Sequence, residues 1–153
     1  MSIMVQPDLI TFNASQENSY TTVLVSNAMD SIPVVMSNPS PKPVVVNGSA
    51  TAEVVSGSDT CAGITLNPGS SCIYKIKLFA PQAEPTRRLV NAFVKATFNN
   101  GNEYTNSAGF GYIALPYAAN ISLTHNNDVM QIKGNARDTA TKTILVILAQ
   151  HGY

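Results

Sequence analysis

The sequence is poor in the residues that most catalytic and nucleic-acid-binding sites require. It contains no tryptophan and only two histidines, and nine Lys and Arg balance nine Asp and Glu to a formal net charge of zero. Charged residues make up 12% of the chain, about half the share of roughly 25% that is usual in globular proteins. Because no basic face is visible, we predict that nucleic acid is not a partner.

Long hydrophobic runs are also missing. The longest, residues 144–149, has the length of a strand and falls well short of the ~18 apolar residues that a membrane span needs, so no membrane span is predicted. Residues 1–7 have neither the charged start nor the long apolar core of a signal peptide. If the protein is exported, we expect its signal sequence to be removed ahead of Met1.

Residue types suited to catalysis are thinly spread. Nucleophilic catalysis needs a base beside a nucleophile, but His125 is predicted at a hairpin tip, His151 lies close to the end, and no Gly-x-Ser-x-Gly sequence is present. The carboxylates do not cluster, and the residues 126–128 are too few for a calcium loop. We therefore predict that the protein is not an enzyme and has no catalytic residues, no metal site and no cofactor.

Both cysteines flank one turn-centred stretch, residues 61–72. This placement suggests a Cys61–Cys72 disulfide, which would contribute about 3 kcal/mol in the chain-entropy model, and an oxidising compartment. Two buried free cysteines are the alternative, whereas a zinc site would lack a second pair of ligands at suitable spacing. Within the stretch, Pro68-Gly69 suits a type II turn because glycine accepts a positive φ.

Short strand patterns separated by turn residues fill residues 9–115. In residues 73–79, alternation places Tyr74, Ile76 and Leu78 on a side that we expect to face the core, with the lysines on the other side facing water. The other predicted strands are 9–12, 20–26, 32–36, 44–46, 52–55, 89–98, 103–106 and 109–115, and 81–85 is predicted as a loop. No segment sustains a helical period, so the pattern predicts an all-β sandwich or barrel.

The most suitable binding loop joins two of these predicted strands. It contains Asn99-Asn100-Gly101-Asn102, and Asn-Gly is the strongest short hairpin signal. Asn and Tyr side chains supply hydrogen bonds and adaptable contact area in the binding loops of other sandwiches. We therefore predict Asn99, Asn100, Asn102 and Tyr104 as ligand-binding residues, with an ordinary solvated hairpin as the alternative.

Residues 116–153 differ in pattern from the rest. Residues 120–124 and 129–133 indicate a further hairpin, and the apolar residues 143–149 are predicted as a buried strand, with a short helix as the alternative. We predict domain bounds of 1–115 for the main sandwich and 116–153 for a C-terminal β extension. This extension is expected either to pack on the sandwich or to begin a partial second repeat.

Residues 9–115 resemble the bacterial immunoglobulin-like modules related to hydin and abnormal-spindle repeats, found in secreted and surface proteins. The similarity lies in Cys-x-Gly-x-x-Leu-x-Pro-Gly-x-x-Cys at 61–72, a strand that ends in Asn27, and Gly109-Phe110-Gly111. The family usually has a glycine after that strand, where this chain has Ala28-Met29-Asp30. The resemblance implies an immunoglobulin-like β-sandwich with a binding or scaffolding role and no catalytic residues.

These features lead to two functional hypotheses. The first is a non-catalytic binding module, secreted or held at the cell surface or in the periplasm, that recognises a protein or glycan at the cell surface or in a host. The second is a structural subunit of a surface fibre or assembly. In that case residues 143–149 would add a strand to a neighbour's sheet and form a homo-oligomer.

Overall fold

The computed structural model describes residues 1–116 and the backbone of residues 122–126 and 129–133. The chain divides into two units, Met1–Leu115 and Pro116–Tyr153, and each is described by itself. Across the described ranges all regular secondary structure is β-strand. Within them, no helix has the length and apolar character needed to cross a membrane.

The strands of the first unit follow one another closely, as the frequent turn residues predict. They are β1 (Ser2–Gln6), β2 (Leu9–Asn13), β3 (Ser19–Ser26), β4 (Val34–Met36), β5 (Val44–Val45), β6 (Thr51–Val54), β7 (Thr65–Leu66), β8 (Ser71–Phe79), β9 (Glu84–Phe98) and β10 (Glu103–Leu115). The second unit contains an antiparallel pair, β11 (Ser122–Asn126) and β12 (Val129–Lys133).

Ten strands of the first unit form two sheets. The first sheet has the order β1-β3-β8-β6, and the second has the order β2-β10-β9-β4-β7, with β5 also paired to β9. The N-terminal strands cross between the sheets at Pro7 and Asp8, because β1 pairs with β3 whereas β2 runs parallel to β10. The Thr21 hydroxyl donates to the Pro7 carbonyl (2.8 Å), and the Gly111 N–H donates to the Asp8 carbonyl (2.7 Å).

The core lies between the two sheets. Tyr74, Ile76 and Leu78 of β8 are fully buried, which confirms the face predicted from alternation. The second sheet contributes the inward residues of β9 and β10, including Phe110 and Tyr112, which are also fully buried. Two sheets that bury one face each against the other define an immunoglobulin-like β-sandwich, as expected from the sequence.

One buried tyrosine spans from the first sheet to the second. Strand β9 pairs with β5 at Val90 and Asn91 and with β4 only from Ala96 onward, so the Phe93 carbonyl lies between these two pairings. The Tyr74 hydroxyl donates to that carbonyl at 2.8 Å. Burial raises the pKa of Tyr74, and the charge of Asp59 raises it further, so the hydroxyl remains a donor at neutral pH.

Several strand bounds differ from the predictions. Strand β1 was not predicted, because its apolar residues 3–5 run together without alternation and Pro7 follows the strand. Strand β4 begins at Val34 and not at Ile32, since Pro33 has no N–H for the ladder. Strand β9 begins at Glu84, inside the predicted 81–85 loop, and the predicted strands 103–106 and 109–115 are one continuous strand, β10.

In the second unit, the predicted hairpin is present in the described backbone. Its ladder places His125 opposite Met130, so His125 lies within β11 and not at the hairpin tip where it was predicted. The register continues to Asn126 opposite Val129, which leaves only residues 127 and 128 for the connection. The predicted strand at 143–149 and His151 lie outside the described residues.

Replacing Tyr74 by Phe tests the contact between the sheets. The change removes only the hydroxyl and leaves the part-buried Phe93 carbonyl without its donor, so the free energy of unfolding should fall by about 1–3 kcal/mol. Urea denaturation measures this loss. Tyr20→Phe is the matched control, because Tyr20 is 51% exposed, and equal stability of the two variants would contradict the proposed role.

Candidate functional site

The predicted disulfide is present between Cys61 and Cys72, whose Cα atoms lie 5.1 Å apart. Cys72 is on the inward face of β8, so the bond fastens the loop around Cys61 to the core. Asp59 holds the same loop, because its Oδ1 accepts from the N–H groups of Cys61 (2.9 Å) and Ala62 (3.1 Å). The loop that leads to β7 is therefore fixed at both its start and its middle.

The predicted Pro68-Gly69 turn is confirmed. The Ser70 N–H donates to the Asn67 carbonyl (3.0 Å), and Gly69 has a φ of 79°, as position three of a type II turn requires. The turn is joined to the end of β3 by two backbone bonds. Gly69 N–H donates to the Asn27 carbonyl (2.7 Å), and the Asn27 N–H donates to the Ser70 carbonyl (2.9 Å).

Asn27 is fully buried, and its side chain links three segments of the chain. Its Nδ2 donates to the carbonyls of Ile32 and Leu66, each at 2.9 Å, and its Oδ1 accepts from the Met29 N–H at 3.1 Å. Both donors and the acceptor of the amide are thus satisfied. Because these bonds hold the start and the end of the 27–33 loop against β7, Asn27 fixes the position of Met29 and Ile32.

A cavity of about 630 Å³ lies between this loop and the turn that joins β9 to β10; we name it the hairpin cavity. One wall is the 27–33 loop, which contributes two apolar side chains, and the other is the β9–β10 hairpin. The lining residues are Met29, Ile32, Phe98, Asn99, Asn100, Asn102 and Glu103. The structure thereby brings three of the four sequence-predicted binding residues to one cavity.

The hairpin turn has a defined internal geometry. The Phe98 N–H donates to the Asn102 carbonyl (2.9 Å), and the Asn102 N–H donates to Asn100 Oδ1 (3.0 Å). Within the described part of the chain, the side-chain nitrogens of Asn99, Asn100 and Asn102 donate no hydrogen bond, so all three remain free for a ligand. Glu103 is paired with Lys95, with 3.2 Å between its Oε1 and the lysine Nζ.

Tyr104, the fourth predicted residue, does not line the hairpin cavity. Its ring lies edge-on to Phe98, with 5.9 Å between ring centroids, and its hydroxyl donates to the Met1 carbonyl at 3.3 Å. Tyr104 therefore supports Phe98 from behind. Sequence reasoning missed Phe98, Met29 and Ile32 as lining residues. The one available signal was the presence of two apolar side chains, Met29 and Ile32, in the otherwise polar 27–33 loop.

A second polar cluster is buried at Glu84 and Tyr112. The Tyr112 hydroxyl bonds to Glu84 Oε2, while Glu84 Oε1 accepts from the Ser49 N–H at 3.0 Å. Burial, followed by the bond to Glu84, raises the pKa of Tyr112 to about 12. A Cβ on Gly48 would clash with the Tyr112 hydroxyl, so the 48–50 loop packs directly on the cluster, which we interpret as the structural anchor of that loop.

Metal-binding groups are not assembled in the described residues. No set of three or more His, Cys, Asp or Glu side chains there is arranged to hold a metal ion. The side chains of His125 and His151 lie outside the described part of the chain. The hairpin cavity is consequently the candidate site that the described geometry supports best.

Comparisons with known proteins concern the fold alone. No family model matches the chain, and no curated protein has a matching sequence. The VesB protease of Vibrio cholerae is similar with a TM-score of 0.46 and 10% identity, and the match covers 73% of this chain and 32% of VesB. The periplasmic chaperone SfaE has a TM-score of 0.40 and 9% identity, with 76% of this chain and 59% of SfaE covered. The ASH/PapD-like domain of human CEP192 has a TM-score of 0.44 and 10% identity, with 76% of this chain and 87% of that domain covered. The chain thus spans about a third of VesB and about three fifths of SfaE. The finer resemblance to hydin and abnormal-spindle repeats stays a prediction.

Replacing Asn27 by Ala tests whether this residue positions the cavity wall. The buried Leu66 carbonyl and the part-buried Ile32 carbonyl would lose their donor, so the free energy of unfolding should fall by about 2 kcal/mol. Amide hydrogen exchange in residues 28–33 should accelerate more than in β8, because the loop loses its fastening. Asn67→Ala, at an exposed turn position, is the control, and unchanged exchange in the 28–33 loop would show that Asn27 does not position it.

Proposed function

We propose that the protein is a non-catalytic, exported binding module that recognises a protein or a glycan through the hairpin cavity. In this proposal residues 1–115 form the binding module and residues 116–153 its C-terminal β extension. The observation that carries it is the cavity itself, where free amide groups of the β9–β10 turn face an apolar wall fixed by Asn27. Sites with an apolar wall and few oriented polar groups are typical of ligand binding.

The lining chemistry favours binding over catalysis. Among the seven lining residues, Glu103 is the one titratable side chain, and it is paired with Lys95. Neither a nucleophile nor a base accompanies it, and covalent catalysis needs both in contact. Amides and apolar side chains instead provide hydrogen bonds and contact area, which is what recognition requires.

Export is supported by the Cys61–Cys72 disulfide. Such bonds form and persist in oxidising compartments and are rare in the cytosol of mesophiles. A location outside the cytoplasm, whether secreted, at the cell surface or in the periplasm, agrees with this chemistry. Protein recovered from its natural compartment with two free thiols would contradict export.

Recognition through the cavity is tested with two variants that alter opposite walls. Ile32→Asp places a charge on the apolar wall, and Asn99→Ala removes an amide that makes no hydrogen bond within the described residues. Each variant should weaken binding by tenfold or more, measured with labelled protein on a glycan array and in a pull-down from host extracellular extract.

The control for this experiment is Asn67→Ala, which changes an exposed Asn on a neighbouring turn outside the cavity. Circular dichroism and thermal unfolding establish that all variants keep the fold. Binding that is equal in the wild type and in both cavity variants would contradict a role for this cavity, even where a partner is found.

A specific observation favours the second hypothesis, a subunit of an assembly. The Gly111 N–H points away from β9, toward the β1–β2 crossing, and alternation directs the N–H groups of Gly109 and Thr105 the same way. The Ser107 N–H on this side donates to Asn106 Oδ1 at 2.8 Å. Strand β2 pairs with β10 only from Gly111 to Leu115. From Glu103 to Gly109, β10 therefore pairs with β9 on one side and has no strand partner on the other. An open edge of this kind accepts an added strand.

This assembly hypothesis predicts that blocking the edge lowers the oligomeric state. Thr105→Pro removes an outward N–H and is tolerated at a sheet edge, and deletion of residues 139–153 removes the apolar segment that the sequence offers as an added strand. Light scattering should show smaller species for both variants than for the wild type. A wild type that is strictly monomeric at all concentrations would eliminate the assembly hypothesis.

A further inference from the structure

We infer that the hairpin cavity binds a neutral sugar, a hexose or an N-acetylhexosamine at an accessible position of a glycan. This inference rests on the proposed binding function and specifies the ligand class of the same site. It follows from three properties of the lining: a braced aromatic ring with aliphatic neighbours, a row of free amides, and the absence of a Lys or Arg side chain.

The apolar wall suits the carbon–hydrogen face of a pyranose ring. Phe98 lies at the end of the core and lines the cavity, with Tyr104 packed edge-on behind it at 5.9 Å. Met29 and Ile32 face it from the other wall, and Ile32 is 39% exposed. A sugar places its C–H groups on one face of the ring, and such a face gains from contact with an aromatic surface.

The amides suit the hydroxyl groups on the rim of the same ring. Each Asn side chain presents an N–H donor and a carbonyl acceptor a short distance apart, which matches a pair of neighbouring hydroxyls that both donate and accept. Asn99, Asn100 and Asn102 have side-chain nitrogens that donate no bond within the described chain. Three such groups on one turn can satisfy several hydroxyls at once.

The lining disfavours acidic sugars because it offers them no cation. The lining contains the carboxylate of Glu103 and no Lys or Arg, and Asp30 directly follows Met29. Lys95, the cation nearest in the described contacts, already pairs with Glu103. A sialylated, sulfated or phosphorylated ligand would therefore find no free cation among the lining residues to pair with its charge, which disfavours it against a neutral sugar.

The cavity is also of suitable size and is already formed. A volume of about 630 Å³ lies within the range of roughly 300–1,000 Å³ that is usual for small-ligand sites. Asn27 fixes the 27–33 wall, and three hydrogen bonds within residues 98–102 fix the other. Little conformational freedom is then lost on binding, so a small ligand can be held.

The test uses the full chain on an array that carries neutral hexoses, N-acetylhexosamines and their sialylated and sulfated analogues, followed by calorimetry with the best free saccharide. Neutral glycans should bind and acidic ones should not, and the affinity should change little between low and high salt because no ion pair forms. Asn100→Asp keeps the oxygen that accepts from the Asn102 N–H but loses the amide donor, so it should weaken binding by tenfold or more.

Asn67→Asp adds the same charge on a neighbouring turn and should bind like the wild type. Phe98→Leu keeps an apolar group but removes the ring, and should weaken sugar binding by about fivefold or more, a loss of the order seen for aromatic contacts. Wild-type affinity in both Asn100→Asp and Phe98→Leu, or a preference for acidic glycans, would overturn the inference.

Binding of saccharide and of protein to the cavity variants distinguishes a wrong sugar assignment from a wrong proposed function. If no saccharide binds, while a protein partner is captured and is lost in Ile32→Asp and Asn99→Ala, the sugar assignment is wrong and the binding module stands. If neither saccharide nor protein binding depends on the cavity variants, both are wrong. Calorimetry with the purified partner or saccharide distinguishes these outcomes.

Discussion

The inward face of β8 is the constraint on which the rest of the sandwich depends. It carries Cys72, Tyr74, Ile76 and Leu78 in alternation, all of them buried, and β8 lies between β3 and β6 within its sheet. The same face therefore supplies core volume, the hydroxyl that completes the hydrogen bonding of β9, and the sulfur that fastens the Cys61 loop. A register shift of one residue in β8 would remove all of these contacts together.

Much of this fold could be predicted, because alternation is strong where one face is buried and the other is wet. Strands β3 and β8 show it clearly, and the Asn-Gly turn located the β9–β10 hairpin. Prediction failed where tertiary contacts override local preference. Pro85 suggested a loop but lies at the exposed start of β9. Residues 107 and 108 were left between two predicted strands, although pairing with β9 keeps β10 continuous.

The sequence located one wall of the candidate site, the β9–β10 turn, and missed the other. The turn residues Asn99, Asn100 and Asn102 belong to one short segment, so their proximity is local and visible in the sequence. The facing wall comes from a loop some seventy residues earlier in the chain, and its position depends on a buried amide that bonds to Leu66. No pattern of spacing encodes such a contact, because Asn27 looks like any other turn residue until its three partners are in place.

The crossing of the N-terminal strands between the sheets has a mechanical consequence. Strand β2 runs parallel to β10, with Leu9 opposite Gly111 and Asn13 opposite Leu115, so tension applied between residues 9 and 115 pulls the two strands along their length in opposite directions. The ladder bonds, which lie across the strands, would then be loaded together in shear and not broken one after another. A domain built in this way is suited to transmit force along a chain.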